Sequence, residues 1–320
     1  MTRNCPLRIF SGDANRPLAE EVVKILDTSL GDLSVTHLPD SEIHVQINEP
    51  VRGEDVFIIH PCANPVNDNV IELFLLIDAF RRASAADITA VIPYFPYGRQ
   101  ERMSKGREAI SAKVIASTLE MLGTHRVIYF DVHAAAIQGF FNIPVDPLSA
   151  FPMFAEYFQH CGLENAVVVS PDTGRTKLAS RMSSMMGFPM VLMHKRRSSF
   201  DTAQITHVVG DIKDRIPIVV DDVIAGGSVL DTLPALLDAG ARPEIYLAIT
   251  HPVLVRDALK KLDAPYIKKL VVSNTIPLPP EKKHPKIEVV SIASDLAEVI
   301  RLVHEEQSIT PVLSRLPGAR

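Results

Sequence analysis

Two adjacent carboxylates, Asp221 and Asp222, interrupt an apolar run in the stretch IPIVVDDVIAGGSVLDT, and a loop of very small residues follows. Ala225, Gly226, Gly227 and Ser228 carry little side-chain bulk, so their backbone N–H groups can converge on an anion. The N-terminus of a following helix would add a favourable field worth about 0.3–1 kcal/mol at an exposed position. Several N–H bonds and the Ser228 hydroxyl must supply the rest. The aspartates cannot serve the same anion, because like charges repel. They suit acceptor duty toward two vicinal hydroxyls. Phosphate at one end and a diol at the other describe a pentose 5-phosphate. The two familiar phosphate signatures, GxxxxGK[ST] and a GxGxxG turn after a strand, are missing.

Three apolar runs stop on polar or acidic residues: YFDVHA, VVVSPD and IVVDD. In an open parallel sheet, ligands bind beyond the carboxyl ends of the strands. An aspartate at such a place can equally be the cap of the next helix, but three in one chain point to a shared site. The runs DVFIIHP, ITAVIPYF, HRVIYFDVHA, NAVVVSPD, IPIVVDDV, IYLAITHPV and IKKLVVSN are rich in Val and Ile with little alternation. That is the pattern of strands buried on both faces. Helix-like stretches such as NDNVIELFLLIDAFRRASA and AISAKVIASTLEMLGTH lie between them. The rhythm predicts parallel sheets covered by helices, with more strands than one ordinary sheet holds. We therefore expect an α/β chain of two domains, residues 1–147 and 148–295, linked near NIPVDPLSAFP. Residues 296–320 form a helix and tail able to pack back on the N-terminal domain. The segment SDLAEVIRLVHEEQS reads as that helix, with Ser294 as its N-cap.

The 320 residues are 47% hydrophobic with a formal net charge of -5. That argues against nucleic acid as a partner, since such a binder shows a basic face. Cys5, Cys62 and Cys161 lie far apart without metal-type pairing, as expected of thiols in a reducing compartment. The N-terminus shows no apolar signal region, and VIELFLLIDAF is shorter than a membrane span. The expectation is a cytoplasmic protein with no membrane partner.

The small-residue loop after the acid pair resembles the phosphoribosyl-binding motif of type I phosphoribosyltransferases and ribose-phosphate pyrophosphokinases. The stretches PDSEIHVQINEPVRGEDVFIIHP, PVNDNVIELFLLIDAFRRASA, VIPYFPYGRQERMSKGREAISAK, DVHAAAIQGFFNIPVD, VVVSPDTG, HKRR, THPVL, IKKLVVSNTIPL and VHEEQSI resemble the pyrophosphokinases in the family's order. The likeness spans nearly the whole chain. It implies two phosphoribosyltransferase type I-like domains, each a mostly parallel sheet flanked by helices. It implies transfer of the β,γ-diphosphoryl group of ATP to the anomeric hydroxyl of ribose 5-phosphate, with release of AMP, for nucleotide biosynthesis. By the same resemblance His133 and Asp172 help hold Mg²⁺ with ATP. Leu38, Asp40, Glu42, Arg99, Gln100 and Glu101 belong to ATP recognition. Asp40 and Glu42 reach a neighbouring subunit's site in a homo-oligomer, commonly a hexamer built from dimers. Lys195 and Arg197 close over the transferring phosphates from a loop whose composition suits mobility. Asp221, Asp222 and Ala225 to Ser228 take ribose 5-phosphate.

The chain departs from the family pattern at named positions. Leu38 replaces a Phe, Ser41 a Gly between the two acids, Glu101 an Asp and Met103 a Lys. Gly174-Arg175 replaces a pair of glycines, which places all these changes on the nucleotide side. The phosphate loop is one residue short, and TPVLSRLPGAR replaces an aromatic ending. Two other readings stay open on these residues: a non-catalytic partner in a synthase assembly, and a phosphoribosyltransferase that consumes the product.

Overall fold

The computed structural model describes residues 5–197, 203–313 and 315, with side chains described outside 195–206. The chain divides into two compact units. The first comprises residues up to Ser149 together with 275–277 and 291–312, and the second comprises the remainder.

Among the described residues the first unit holds seven strands: β1 (Leu7–Ser11), β2 (Leu33–His37), β3 (Ile43–Ile47), β4 (Asp55–Ile59), β5 (Asp87–Ile92), β6 (Arg126–Phe130) and β7 (Val145–Leu148). Five of them form a parallel sheet in the order β1-β4-β5-β6-β7. β2 and β3 form a separate antiparallel hairpin. All of β4 is buried, as its unbroken DVFII requires. Helices α1 (Arg16–Ile25), α2 (Val66–Arg82) and α3 (Ser111–Leu122) belong to this unit. In α2, Leu73, Leu76, Ile77 and Phe80 recur at helical spacing and join a core with Phe10, Ile58 and Tyr129. Burying one such side chain is worth about 1.5–3 kcal/mol. Arg81, in the last turn of α2, donates from Nη1 to the Met121 carbonyl at 3.2 Å near the end of α3.

The two edges of the sheet differ. Beside β1, Leu30 forms an isolated parallel bridge with Ile9, and the Gly31 N–H donates to the Ile9 carbonyl at 2.8 Å. The other edge is β7, whose Pro147 pairs with Tyr129. The stretch NIPVDPLSAFP, where the link between domains is expected, holds both an edge strand, in which proline is tolerated, and the change from one unit to the other after Ser149.

The second unit contains β8 (Ala166–Ser170), β9 (Met190–Arg197), β10 (Ala203–Val209), β11 (Ile216–Ile224), β12 (Ile245–Pro252), β13 (Ile267–Ser273) and β14 (Ile287–Val290). Their order is β10-β9-β8-β11-β12-β13-β14, parallel except for antiparallel β10 against β9. Helices α4 (Phe151–His160), α5 (Thr176–Met186), α6 (Pro234–Asp238) and α7 (Ala258–Lys261) accompany it. The basic run HKRR, expected to begin a mobile loop, ends β9 in the ladder with β10, because β10 supplies partners as far as Arg197.

Helix α8 (Ala293–His304) belongs to the first unit. His304 Nδ1 lies 2.8 Å from Asp55 Oδ2, and Ser291 Oγ meets the Glu21 carboxylate. Ser294 lies inside the helix and not at its N-cap, which is Ile292. Ser291 instead accepts from the Ala293 N–H at 3.1 Å. Among the described residues no helix is long and apolar enough to cross a membrane.

His60, after β4, is fully buried, and burial lowers its pKa to about 4 despite a bond to the Asn69 carbonyl. The unfolded chain binds a proton at His60 below about pH 6.5 while the folded chain does not, so this term removes stability as pH falls from 6.5 toward 4. Glu72 beside it is raised by burial and acts in the opposite sense. Comparison with His60→Gln isolates the histidine contribution. Between pH 7 and pH 5 we expect the wild type to lose about 2 kcal/mol more than the variant in urea denaturation. Parallel pH profiles would contradict this.

Candidate active site

In the second unit, β11 keeps its ladder to β12 as far as Ile224, but its ladder to β8 stops at Val219. Asp221 and Asp222 therefore sit inside β11, just beyond the reach of β8, and not at the strand's end as IVVDD suggested. Arg175, on the turn after β8, fills the place beside them. Its Nε lies 3.1 Å from Asp221 Oδ1 and its Nη2 lies 3.0 Å from Asp222 Oδ1. The three side chains are 15%, 17% and 5% exposed. The Asp222 N–H also donates to Asp221 Oδ1 at 2.9 Å. Burial pushes Asp221 well above the ordinary carboxylate range, the Asp222 carboxyl adds to the rise, and the Arg175 guanidinium opposes it. The sequence places Arg175 among the departures on the nucleotide side; in the structure its guanidinium lies on the acid pair.

Ala225, Gly226, Gly227 and Ser228 form the turn after β11, with Ser228 exposed. The turn is tied down by the Val255 N–H, which donates to the Ala225 carbonyl at 3.1 Å. Gly227 has φ +75°, and a Cβ there would stand 3.2 Å from Ala258 Cα. The expected helix field is weak. The chain leaves this turn through a single 3₁₀ turn, Leu230–Thr232, and then α6, only five residues long. Arg256, which sequence reasoning passed over, places Cδ 3.9 Å from where a Cβ on Gly226 would stand.

Asp172 follows β8. Its Oδ1 accepts from the Arg175 N–H at 3.2 Å, so the carboxylate caps its own turn. Lys195 and Arg197 lie in β9 opposite Ile205 and Ala203, and their side chains fall outside the described residues.

In the first unit, Leu38, Asp40 and Glu42 lie on the exposed tip between β2 and β3. The Glu42 N–H donates to Asp40 Oδ1 at 3.2 Å, and Ser41 between them has φ 75°. Arg99 and Gln100 are exposed on the connection from β5 to α3. Gln100 Oε1 accepts from Ser111 Oγ at 2.7 Å, and Glu101 faces Arg102 Nε at 3.4 Å. His133 follows β6, and its Cβ is 3.8 Å from where a Cβ on Gly98 would stand. The structure thus brings His133 beside the start of the Arg99–Gln100 segment. Among the described residues, Asp13, His37 and Glu72 are the group whose possible ligand atoms lie within 4.8 Å of one another. Glu72 Oε1 is engaged there by the Asp13 N–H at 2.8 Å.

Comparison with known proteins decides the family. The N-terminal domain of ribose phosphate pyrophosphokinase matches residues 7–123, and the phosphoribosyl synthetase-associated domain matches residues 164–314. A ribose-phosphate pyrophosphokinase of Caldanaerobacter subterraneus is 44% identical over 96% of this chain and 98% of its own. One from Bacillus subtilis is 41% identical over 96% and 97%. The phosphoribosylpyrophosphate synthetase of Mycobacterium smegmatis superposes with a TM-score of 0.87 at 36% identity, covering 94% of this chain and 99% of that one. The chain belongs to the ribose-phosphate pyrophosphokinase family. It has the α/β fold of that family, with two phosphoribosyltransferase-like domains built on mostly parallel sheets.

Family membership gives the departures a physical reading. Ser41 stands where the pattern has Gly, and its left-handed backbone explains the usual glycine. Arg175 stands where the pattern has the second glycine of its pair, and that extra side chain is what reaches the acids. Gly227 keeps the small residue its φ demands. Gly227→Ala is expected to cost about 1–2 kcal/mol from the backbone alone, before the contact with Ala258 is counted. A urea midpoint unchanged from wild type would show that the turn relaxes instead.

Proposed function

We infer that the chain is an ATP:ribose-5-phosphate diphosphotransferase that makes 5-phosphoribosyl 1-pyrophosphate and AMP for nucleotide biosynthesis. The observation that carries this reading is the acid pair of β11 followed at once by a small-residue turn, in a chain that matches ribose-phosphate pyrophosphokinases along nearly its whole length. The turn presents backbone donors to the 5-phosphate, and Asp221 and Asp222 accept from the vicinal hydroxyls.

In the transfer, the anomeric oxygen bonds to the β phosphorus. The bond from that phosphorus to the oxygen shared with the α phosphorus breaks, and AMP keeps that oxygen. The hydroxyl proton is lost to solvent. Negative charge concentrates on the moving group, so the work of the chain is positioning and neutralisation. Lys195 and Arg197 would supply cations to that charge. Arg99 would lay its guanidinium plane on adenine, Gln100 would use its NH₂ group on the base edge, and Glu101 would support that segment. Leu38 would pack on the base, with Asp40 and Glu42 serving the site of a neighbouring copy in a homo-oligomer, a hexamer built from dimers.

Asp172 in the second unit and His133 in the first each carry a donor of a kind that Mg²⁺ accepts. Asp172 has a second carboxylate oxygen besides the one that caps its turn, and His133 is half-buried beside Gly98. Such an ion prefers oxygen and keeps several waters, so His133 would act partly through water. When bound, the ion screens phosphate charge.

Phosphorus NMR of the protein with ribose 5-phosphate, ATP and Mg²⁺ tests the reading, with a no-sugar control. Phosphoribosyl pyrophosphate and AMP should appear together. ADP with a sugar bisphosphate would refute diphosphoryl transfer, and no turnover would favour a non-catalytic partner. A ring at position 38 would stack on adenine. With stacking worth about 0.5–1.5 kcal/mol, Leu38→Phe should lower the KM for ATP roughly two- to tenfold and leave that for ribose 5-phosphate unchanged. An unchanged KM for ATP would remove Leu38 from the nucleotide site.

A further inference from the structure

Arg175 is a cation that the family pattern does not carry, set on the two carboxylates assigned above to the sugar. Two forked contacts at 3.1 and 3.0 Å reach two different carboxylates, one oxygen on each, in both cases Oδ1. One guanidinium touches both acids, so its charge holds the two carboxylates together on one side. The backbone of the same residue is anchored separately, through its N–H to Asp172 Oδ1 at 3.2 Å. The clamp is therefore held at both ends, by the turn after β8 and by β11. Asp222 is nearly inaccessible, and two buried carboxylates side by side without a cation would be strongly unfavourable. A carboxylate has two oxygens and about four acceptor positions, so a contact on Oδ1 does not exhaust either acid.

We propose that Arg175 is a positioning residue for the pentose, clamping Asp221 and Asp222 in the orientation in which they accept the vicinal hydroxyls of ribose 5-phosphate. The proposal rests on the functional reading above. It assigns to this chain a side-chain clamp where a glycine cannot provide one, and makes Arg175 part of sugar discrimination and not of nucleotide binding. Loss of the clamp should weaken the contacts to the hydroxyls and leave the phosphate turn and the nucleotide residues as they were.

The test compares wild type with Arg175→Ala and Arg175→Lys, in steady-state kinetics with ribose 5-phosphate and with 2-deoxyribose 5-phosphate. For Arg175→Ala the KM for ribose 5-phosphate should rise about tenfold or more, the scale of a misaligned hydrogen bond to a charged acceptor. The KM for ATP should stay within about twofold, a shift too small to count as a lost contact. Preference for ribose over 2-deoxyribose should shrink in the same variant, since the acids no longer read the 2-hydroxyl in register. Arg175→Lys keeps the charge without the fork and should fall between the two. It also serves as the measurement if the alanine variant does not fold, because a lysine should then retain the fold and still lose part of the preference. A merely structural arginine would change stability and leave the sugar preference alone. Unchanged KM and preference in a folded variant would overturn the proposal, as would a lower KM for ribose 5-phosphate, which would make Arg175 an obstruction. A wild type that turns over neither sugar would instead overturn the functional reading beneath it.

Discussion

The unequal reach of two neighbouring strands governs the second unit. β11 stays paired with β12 to Ile224 but has lost β8 after Val219. A strand that runs on past one neighbour leaves space on that side, beyond the carboxyl end of the shorter strand. In a parallel sheet this is where ligands gather. Asp221 and Asp222 occupy that stretch of β11, and the turn after β8 brings Asp172 and Arg175 to the same place. The acid pair is largely buried there, and in this chain Arg175 sets a cation beside it. The position of the small-residue turn has the same origin, since it is simply where β11 ends.

The exposure of the recognition groups differs between the units. Asp40, Glu42, Arg99 and Gln100 are exposed, on a hairpin tip and a connecting segment. Asp221 and Asp222 sit in a strand with a fixed partner. Exposed long side chains must be ordered when a ligand binds, at some cost in conformational freedom. Groups held by a strand and an ion pair are already ordered. On the proposed assignment, the sugar end would be the rigid part of the recognition machinery and the nucleotide end the adaptable part. Leu38, Ser41 and Met103 are all exposed, where substitution disturbs no packed core.

The fold was legible where burial is two-sided. The seven apolar runs became β4, β5, β6, β8, β11, β12 and β13, because strands covered on both faces need unbroken apolar residues. The elements that escaped notice are of other kinds. β2 and β3 alternate between half-buried and exposed residues, β7 carries a proline, and β9 ends in cations. Ser294 looked like a cap because only its type and place before the helix were visible, while the bond is made by Ser291. At the site, the acid pair and the small turn were readable because they are contiguous in sequence. The partnership of Arg175 with residues 46 and 47 positions away was not, since only the sheet brings them together. An arginine in place of a glycine was the available signal, and by itself it does not say which residues it meets. The short helix after the turn was also hidden, because Pro234 and the apolar residues after it suit a longer helix equally well.

The two borders of the first unit's sheet bear on association between chains. A strand border with regularly spaced backbone donors and acceptors is a template on which a foreign strand can add. Along β1 that template is already used in part by Leu30 and Gly31 of the same chain. Along β7 the strand is four residues long and contains Pro147, which has no N–H to offer. Neither border invites a continued ladder. A second copy that met the first unit along either border would find only a short run of backbone to pair with, and side chains would have to supply the rest of the register.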